Sequence, residues 1–170
     1  MIWQIPTQSS LALDAGFFLK TSDIVVEKNA LFFSNNQNEF FSLDAQTGNL
    51  NWKQEINSNL RPVIINDLIF TVTLEGYLVI VEKNSGNIVR SNYLLNQFKK
   101  KKRPDIEPTG FIIGNKNIYL SNNIGRLSVI DIATGVTRNI LKIDNKKISR
   151  PAIFNKNLYI ISNNSIIKLD

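Results

Sequence analysis

The sequence predicts an all-β protein made of four-stranded antiparallel β-propeller blades, and three observations carry that expectation. Segments of about 40 residues repeat along the chain, the length of a propeller blade. Each repeat breaks into short runs rich in Val, Ile, Phe and Tyr, separated by turns bearing Asn, Asp and Gly. No apolar period of the helical kind is evident anywhere.

The repeats align in order. The first, "ALFFSNNQNEFFSLDAQTGNLNWKQEI", starts at Ala30; the second, "LIFTVTLEGYLVIVEKNSGNIVRSNYL", at Leu68; the third, "NIYLSNNIGRLSVIDIATGVTRNILKI", at Asn117. Each reads as strand, polar turn, strand, acidic-to-glycine turn, strand. An earlier apolar segment ("DIVVEKN", "RPVIIND", "PTGFIIGNK") supplies a fourth strand to each. The blades are expected at residues 23–57, 61–95 and 108–143. A fourth copy, 149–170, stops after three strands. Strands apolar on both faces are expected where each blade is packed between two others, since successive side chains alternate sides.

Residues 1–10, with "IWQIP", resemble "NWKQEI" and are expected to form the last strand of a blade. Two arrangements follow. The segment completes the fourth copy and closes a four-bladed ring, or it ends an upstream blade of a larger propeller. The second is favoured, with about four blades present out of an eight-bladed ring, because four blades lie at the bottom of the usual range of about 4–8.

Composition narrows the chemistry. The 170 residues suit one compact domain or a piece of a larger one, and 43% hydrophobic with 20% charged residues supports a packed core. Cys and His are both absent. That removes thiolate chemistry, Cys ligation, disulfides and the usual near-neutral general base. No stretch approaches the roughly 18 apolar residues of a spanning helix, and the N-terminus lacks the pattern of a secretory signal, so any export signal is expected outside this chain. The abundance of Ile, Asn and Lys is read as the bias of an AT-rich genome.

The turn glycines Gly48, Gly86 and Gly135 are spaced by 38 and 49 residues. Around the first stand Asp44, Thr47 and Trp52; around the third, Asp131 and Thr134, with Arg90 and Asn139 where the Trp would fall. These residues are either the wall of a cofactor site or blade architecture. Repetition favours architecture, because one cofactor needs one constellation. In that reading glycine permits positive φ, Asp and Thr bond local backbone, and Trp52 wedges between blades.

"LDAQTGNLNW" resembles the PQQ-like repeat, and "VIDIATGVTRN" and "VIVEKNSGNIVR" resemble weaker copies. The resemblance covers nearly the whole chain. Among non-catalytic members, "GRLSVIDIATG" and "ISRPAIFNKNLYIISNNSIIKLD" are similar to the alphaproteobacterial branch of the BamB family of outer-membrane assembly lipoproteins. That resemblance implies a periplasmic, outer-membrane-associated scaffold without cofactor or catalysis, whose partner is the barrel subunit of the assembly machine. Membrane association would come from that partner or from an N-terminal anchor outside these residues. The alternatives are a PQQ-dependent quinoprotein dehydrogenase-like domain and a generic propeller interaction module. The dehydrogenase would need a calcium site, and Asp14, Asp23, Glu39, Asp105 and Glu107 form no recognisable ligand series.

The remaining candidate is the insertion 96–107, which lengthens the second spacing and contains Lys99, Lys100, Lys101, Lys102 and Arg103. With a net charge of +6, these residues are the candidate contact for an acidic partner or anionic lipid, against a bland reading as a solvated, mobile connector. Nucleic acid is not expected, since Phe98 alone interleaves the run. The incomplete fourth copy offers a strand edge to extended client peptides. Arg61-Pro62 and Arg150-Pro151 mark matching blade starts, with Arg103-Pro104 in the insertion.

Overall fold

Among the described residues every regular element except one short helix is a β-strand, and the strands hydrogen-bond into four separate antiparallel sheets in simple chain order. The computed structural model describes residues 2–7 and 18–170. The first sheet holds β1 (Val25–Glu27), β2 (Ala30–Asn35), β3 (Glu39–Asp44) and β4 (Leu50–Gln54). The second holds β5 (Val63–Ile65), β6 (Leu68–Val72), β7 (Tyr77–Glu82) and β8 (Ile88–Tyr93). The third holds β9 (Pro108–Gly114), β10 (Asn117–Asn122), β11 (Arg126–Asp131) and β12 (Thr137–Lys142). The fourth has three strands, β13 (Ala152–Phe154), β14 (Asn157–Ser162) and β15 (Ser165–Leu169). Up-and-down sheets of this kind are propeller blades.

The chain divides into two compact units, Met1–Leu74 with Val79–Arg90, and Glu75–Leu78 with Ser91–Asp170. In the first, neighbouring Phe residues point to opposite faces of one sheet, as strand alternation requires. Phe32 and Phe40 join Trp52, Ile56, Ile69, Val79 and Val81 on one side. Phe33 and Phe41 pair across β2 and β3 with ring centroids 5.1 Å apart, and pack with Leu43 and Ile5 on the other. This double burial explains why the strands read as continuous apolar runs. In the second unit the core gathers Leu127, Ile148, Leu158 and Ile160, with Ile112 and Tyr119 against them.

The tight turns account for part of the asparagine. Among described residues, Asn supplies six of the nine non-glycine positions with positive φ: Asn38, Asn66, Asn115, Asn155, Asn163 and Asn164. Consecutive pairs (Asn115-Lys116, Asn155-Lys156, Asn163-Asn164) close two-residue hairpins, whose primed turns need left-handed backbone at both positions. The asparagine content therefore has a structural cause beyond genome composition.

Two segments lie outside the four sheets. Residues 2–6 form no strand ladder, while residue 1 and residues 8–10 of that segment lie outside the described residues. Within the insertion, Lys100–Asp105 forms a 3-10 helix.

Candidate functional site

The acidic-to-glycine corners are built alike. In the first, the Asp44 carboxylate accepts hydrogen bonds from the Thr47 N–H (2.7 Å), the Thr47 hydroxyl (2.9 Å), the Gln46 N–H (3.0 Å) and the Asn29 amide. In the third, Asp131 accepts from the Thr134 N–H (2.7 Å) and hydroxyl (2.9 Å), and from the Arg138 guanidinium. The second corner uses a longer acid and a smaller alcohol: Glu82 accepts from the Ser85 N–H at 2.6 Å. Bonds to the Thr47 N–H and hydroxyl hold the Asp44 carboxyl below the ordinary carboxylate range. The Thr134 pair does the same for Asp131, and Ser85 for Glu82.

Backbone bonds complete each corner. The N–H groups of Gly48, Gly86 and Gly135 donate to the carbonyls of Asp44, Glu82 and Asp131 at 2.8–2.9 Å, with φ of 75°, 76° and 71°. In each corner a carboxylate oxygen is thus engaged by the N–H groups of its own turn. Glu82 and Ser85 were not singled out in the sequence, although an acid four residues before the glycine and an alcohol one before it repeat the spacing of the other two corners.

Aromatic rings cover two of the three corner glycines. A methyl group on Gly86 would lie 2.7 Å from the Trp52 ring, whose Nε1 donates to the Lys83 carbonyl at 2.9 Å. Trp3 stands over Gly48 in the same way. Over Gly135 the corresponding side chain is Asn92, two residues beyond the position expected from the glycine-to-Trp spacing. Lys83 also bonds Glu27 (3.1 Å) and the Asn66 carbonyl (2.8 Å), and the Glu27 contact raises the Lys83 ammonium above its usual range.

The structure separates the residues of the basic run into two roles. Lys99, Lys100, Lys101 and Lys102 are exposed. Arg103 is half-buried and turned inward. Its Nε donates to the Phe98 carbonyl (2.9 Å), its terminal nitrogen to the Asn96 carbonyl (2.8 Å), and its guanidinium stands 5.8 Å from the Tyr93 ring centre. Buried Leu94, Leu95 and Ile106 anchor the two ends of the insertion. Arg150, the matching Arg of a blade start, donates to the Phe111 carbonyl at 3.1 Å.

Two hollows are mainly apolar. One of about 560 Å³ is lined by Trp3, Ile5, Phe33, Phe41 and Leu43. Another of about 530 Å³ is lined by Tyr119, Leu127, Leu141, Ile153 and Leu169. Among the described residues no three His, Asp or Glu side chains are grouped to hold a metal ion, and Asp14 lies outside those residues.

No curated protein matches the chain in sequence. Solved structures match its fold. BamB from Moraxella catarrhalis superposes with a TM-score of 0.69 at 14% identity, over 86% of this chain and 41% of that one, so the chain spans well under half of that protein. The computationally designed Ika4 protein gives 0.68 at 12% identity, over 95% of this chain and 98% of that one. A quinohemoprotein alcohol dehydrogenase from Pseudomonas putida gives 0.56 at 16% identity, over 67% of this chain and 19% of that one. At such identities these likenesses concern the fold alone. Residues 2–92 match the family model described as outer membrane protein assembly factor BamB, and the chain belongs to that family.

Proposed function

We propose that the protein is a non-catalytic protein-binding scaffold of the bacterial cell envelope, supporting the assembly and insertion of outer-membrane β-barrel proteins. The observation that carries this reading is the family match across residues 2–92, just over half of the chain. Two features support it. The recurring corners spend their carboxylates and hydroxyls on backbone groups of their own turns, which suits rigid support of surface loops. Among the described residues β15 also forms the edge of its sheet, which suits an extended client strand.

The partner in this reading is the barrel-forming subunit of the outer-membrane assembly machine, in the periplasm, and the blades belong to a larger, eight-bladed ring. Co-purification from envelope extracts, followed by binding of the isolated barrel subunit, tests it. Specific association is expected, and no dye reduction after addition of PQQ and calcium. Quinone-dependent dye reduction without association would overturn the scaffold in favour of a dehydrogenase-like domain.

A further inference from the structure

We propose that the Lys99–Lys102 run is a docking surface for an anionic phospholipid membrane, with the four ammonium groups engaging headgroup phosphates. The starting observation is that these lysines do nothing inside the molecule. Ion pairs of the described residues use Lys53, Lys83, Arg138 and Lys168. None of Lys99, Lys100, Lys101 and Lys102 makes a side-chain hydrogen bond or ion pair, and all four are exposed. Four adjacent like charges repel one another, so an exposed run without internal partners gains most from an external anion.

The backbone beneath them is nonetheless held in one shape. The Lys102 N–H donates to the Lys99 carbonyl at 2.8 Å, and the Ile106 N–H to the Arg103 carbonyl at 3.1 Å. Arg103 ties the turn to the carbonyls of Asn96 and Phe98. On the far side, Asn123 accepts from the Glu107 N–H and donates to the Asp105 carbonyl. Ordering the loop in advance reduces the entropy lost when it docks.

Geometry selects the kind of anion. A 3-10 helix has about three residues per turn, so Lys100, Lys101 and Lys102 leave it in three directions. They fan outward instead of converging on a pocket for one compact ion. A fan of charges suits an extended surface. The planar fork of Arg would fix the register of a bound carboxylate or phosphate, but the one Arg of the run is committed to internal carbonyls and Tyr93. The outward groups are lysine point charges, which bind phosphate oxygens without a required orientation. The carboxylates closest in sequence, Asp105 and Glu107, are fewer than the five cations of the run.

The test is co-sedimentation of the chain with vesicles of phosphatidylglycerol and phosphatidylethanolamine, and with neutral phosphatidylcholine vesicles. Binding to the anionic vesicles alone is expected, and it should vanish at roughly 0.5 M salt, where screening is short-ranged. Each lysine near such a surface is worth about fivefold in affinity. Replacing Lys99, Lys100, Lys101 and Lys102 by Gln should therefore weaken binding by well over tenfold. A control that neutralises Lys20, Lys28, Lys142 and Lys147 has the same net charge and should bind like the parent. Equal loss in both variants would overturn the proposal in favour of diffuse net charge. So would absent vesicle binding, with or without capture of polyglutamate that depends on the four lysines. No protein partner enters the assay, so its failure leaves the scaffold reading standing.

Discussion

The ring of Trp52 on β4 covers Gly86 in the corner after β7, so closely that a single added methyl group would fall 2.7 Å from ring carbon Cδ2 and 2.8 Å from Cγ. The same indole donates to the Lys83 carbonyl and meets Phe40 edge-on at 5.6 Å. Trp52 therefore reads the corner of another sheet through shape and through one hydrogen bond. Trp3 over Gly48 repeats the relationship, and Asn92 over Gly135 repeats it without a ring.

Gly86→Ala is expected to destabilise the protein by about 2–4 kcal/mol. Roughly 1 kcal/mol comes from forcing a side chain to positive φ, the rest from overlap with a buried ring. Adding Trp52→Ala removes the overlap and leaves the backbone strain. The double variant should then cost at least about 1 kcal/mol less than the two single changes together, the sign of direct contact. Chemical denaturation of the four proteins measures the cycle, and strict additivity would contradict the packing described.

Trp52→Phe keeps much of the apolar area and deletes the donor to the Lys83 carbonyl. A loss of about 2 kcal/mol is expected, part from the hydrogen bond and part from the smaller ring. Hydrogen exchange should speed up around Lys83 before it does so in β10 or β11. Uniform acceleration in all sheets would mean that the indole acts on global stability only.

Much of this was legible beforehand because strand and turn chemistry is local. The Asp44 and Asp131 corners announce themselves through acid, alcohol and glycine at fixed spacing, and the hairpins through Asn at left-handed positions. Glu82 and Ser85 escaped because each differs by one carbon group from the pattern while making the same bonds. Asn92 escaped for a different reason. Which side chain of a strand reaches the next corner depends on how the sheets pack, and glycine-to-Trp spacing carries no such information. The basic run showed its charge plainly, but its division into four outward lysines and one inward arginine depends on the Asn96 and Phe98 carbonyls and the Tyr93 ring.

Arg103→Lys should behave as a disruptive change in spite of the conserved charge. A tetrahedral ammonium lacks the planar fork that reaches both carbonyls while stacking on Tyr93. Amide exchange across residues 98–106 is expected to rise by an order of magnitude or so, equivalent to about 1.4 kcal/mol of local opening. The melting temperature should move little, since the 3-10 helix buries no side chain of its own. Unchanged exchange would show that Leu94, Leu95 and Ile106 hold the loop unaided.

Acid should weaken the corners. The carboxyls of Asp44, Asp131 and Glu82 are held below their ordinary values by hydrogen bonds from Thr47, Thr134 and Ser85, and that of Asp144 by the Ser162 hydroxyl. A folded-state value below the unfolded one favours the fold while the group is ionised. The stabilisation is therefore complete above the unfolded value, about 4 for Asp, and is lost as pH falls through the lower folded value. Asp44→Asn keeps one acceptor oxygen and removes the charge. It should melt below the parent at neutral pH, with the gap narrowing below about pH 4 as the parent's own carboxylate takes up a proton. Asp44→Asn combined with Asp131→Asn should flatten the acid limb further than either change alone. Melting curves recorded from neutral pH down through that window decide the matter: a gap of constant size would show that Asp44 acts by shape, with its ionisation contributing nothing to the corner.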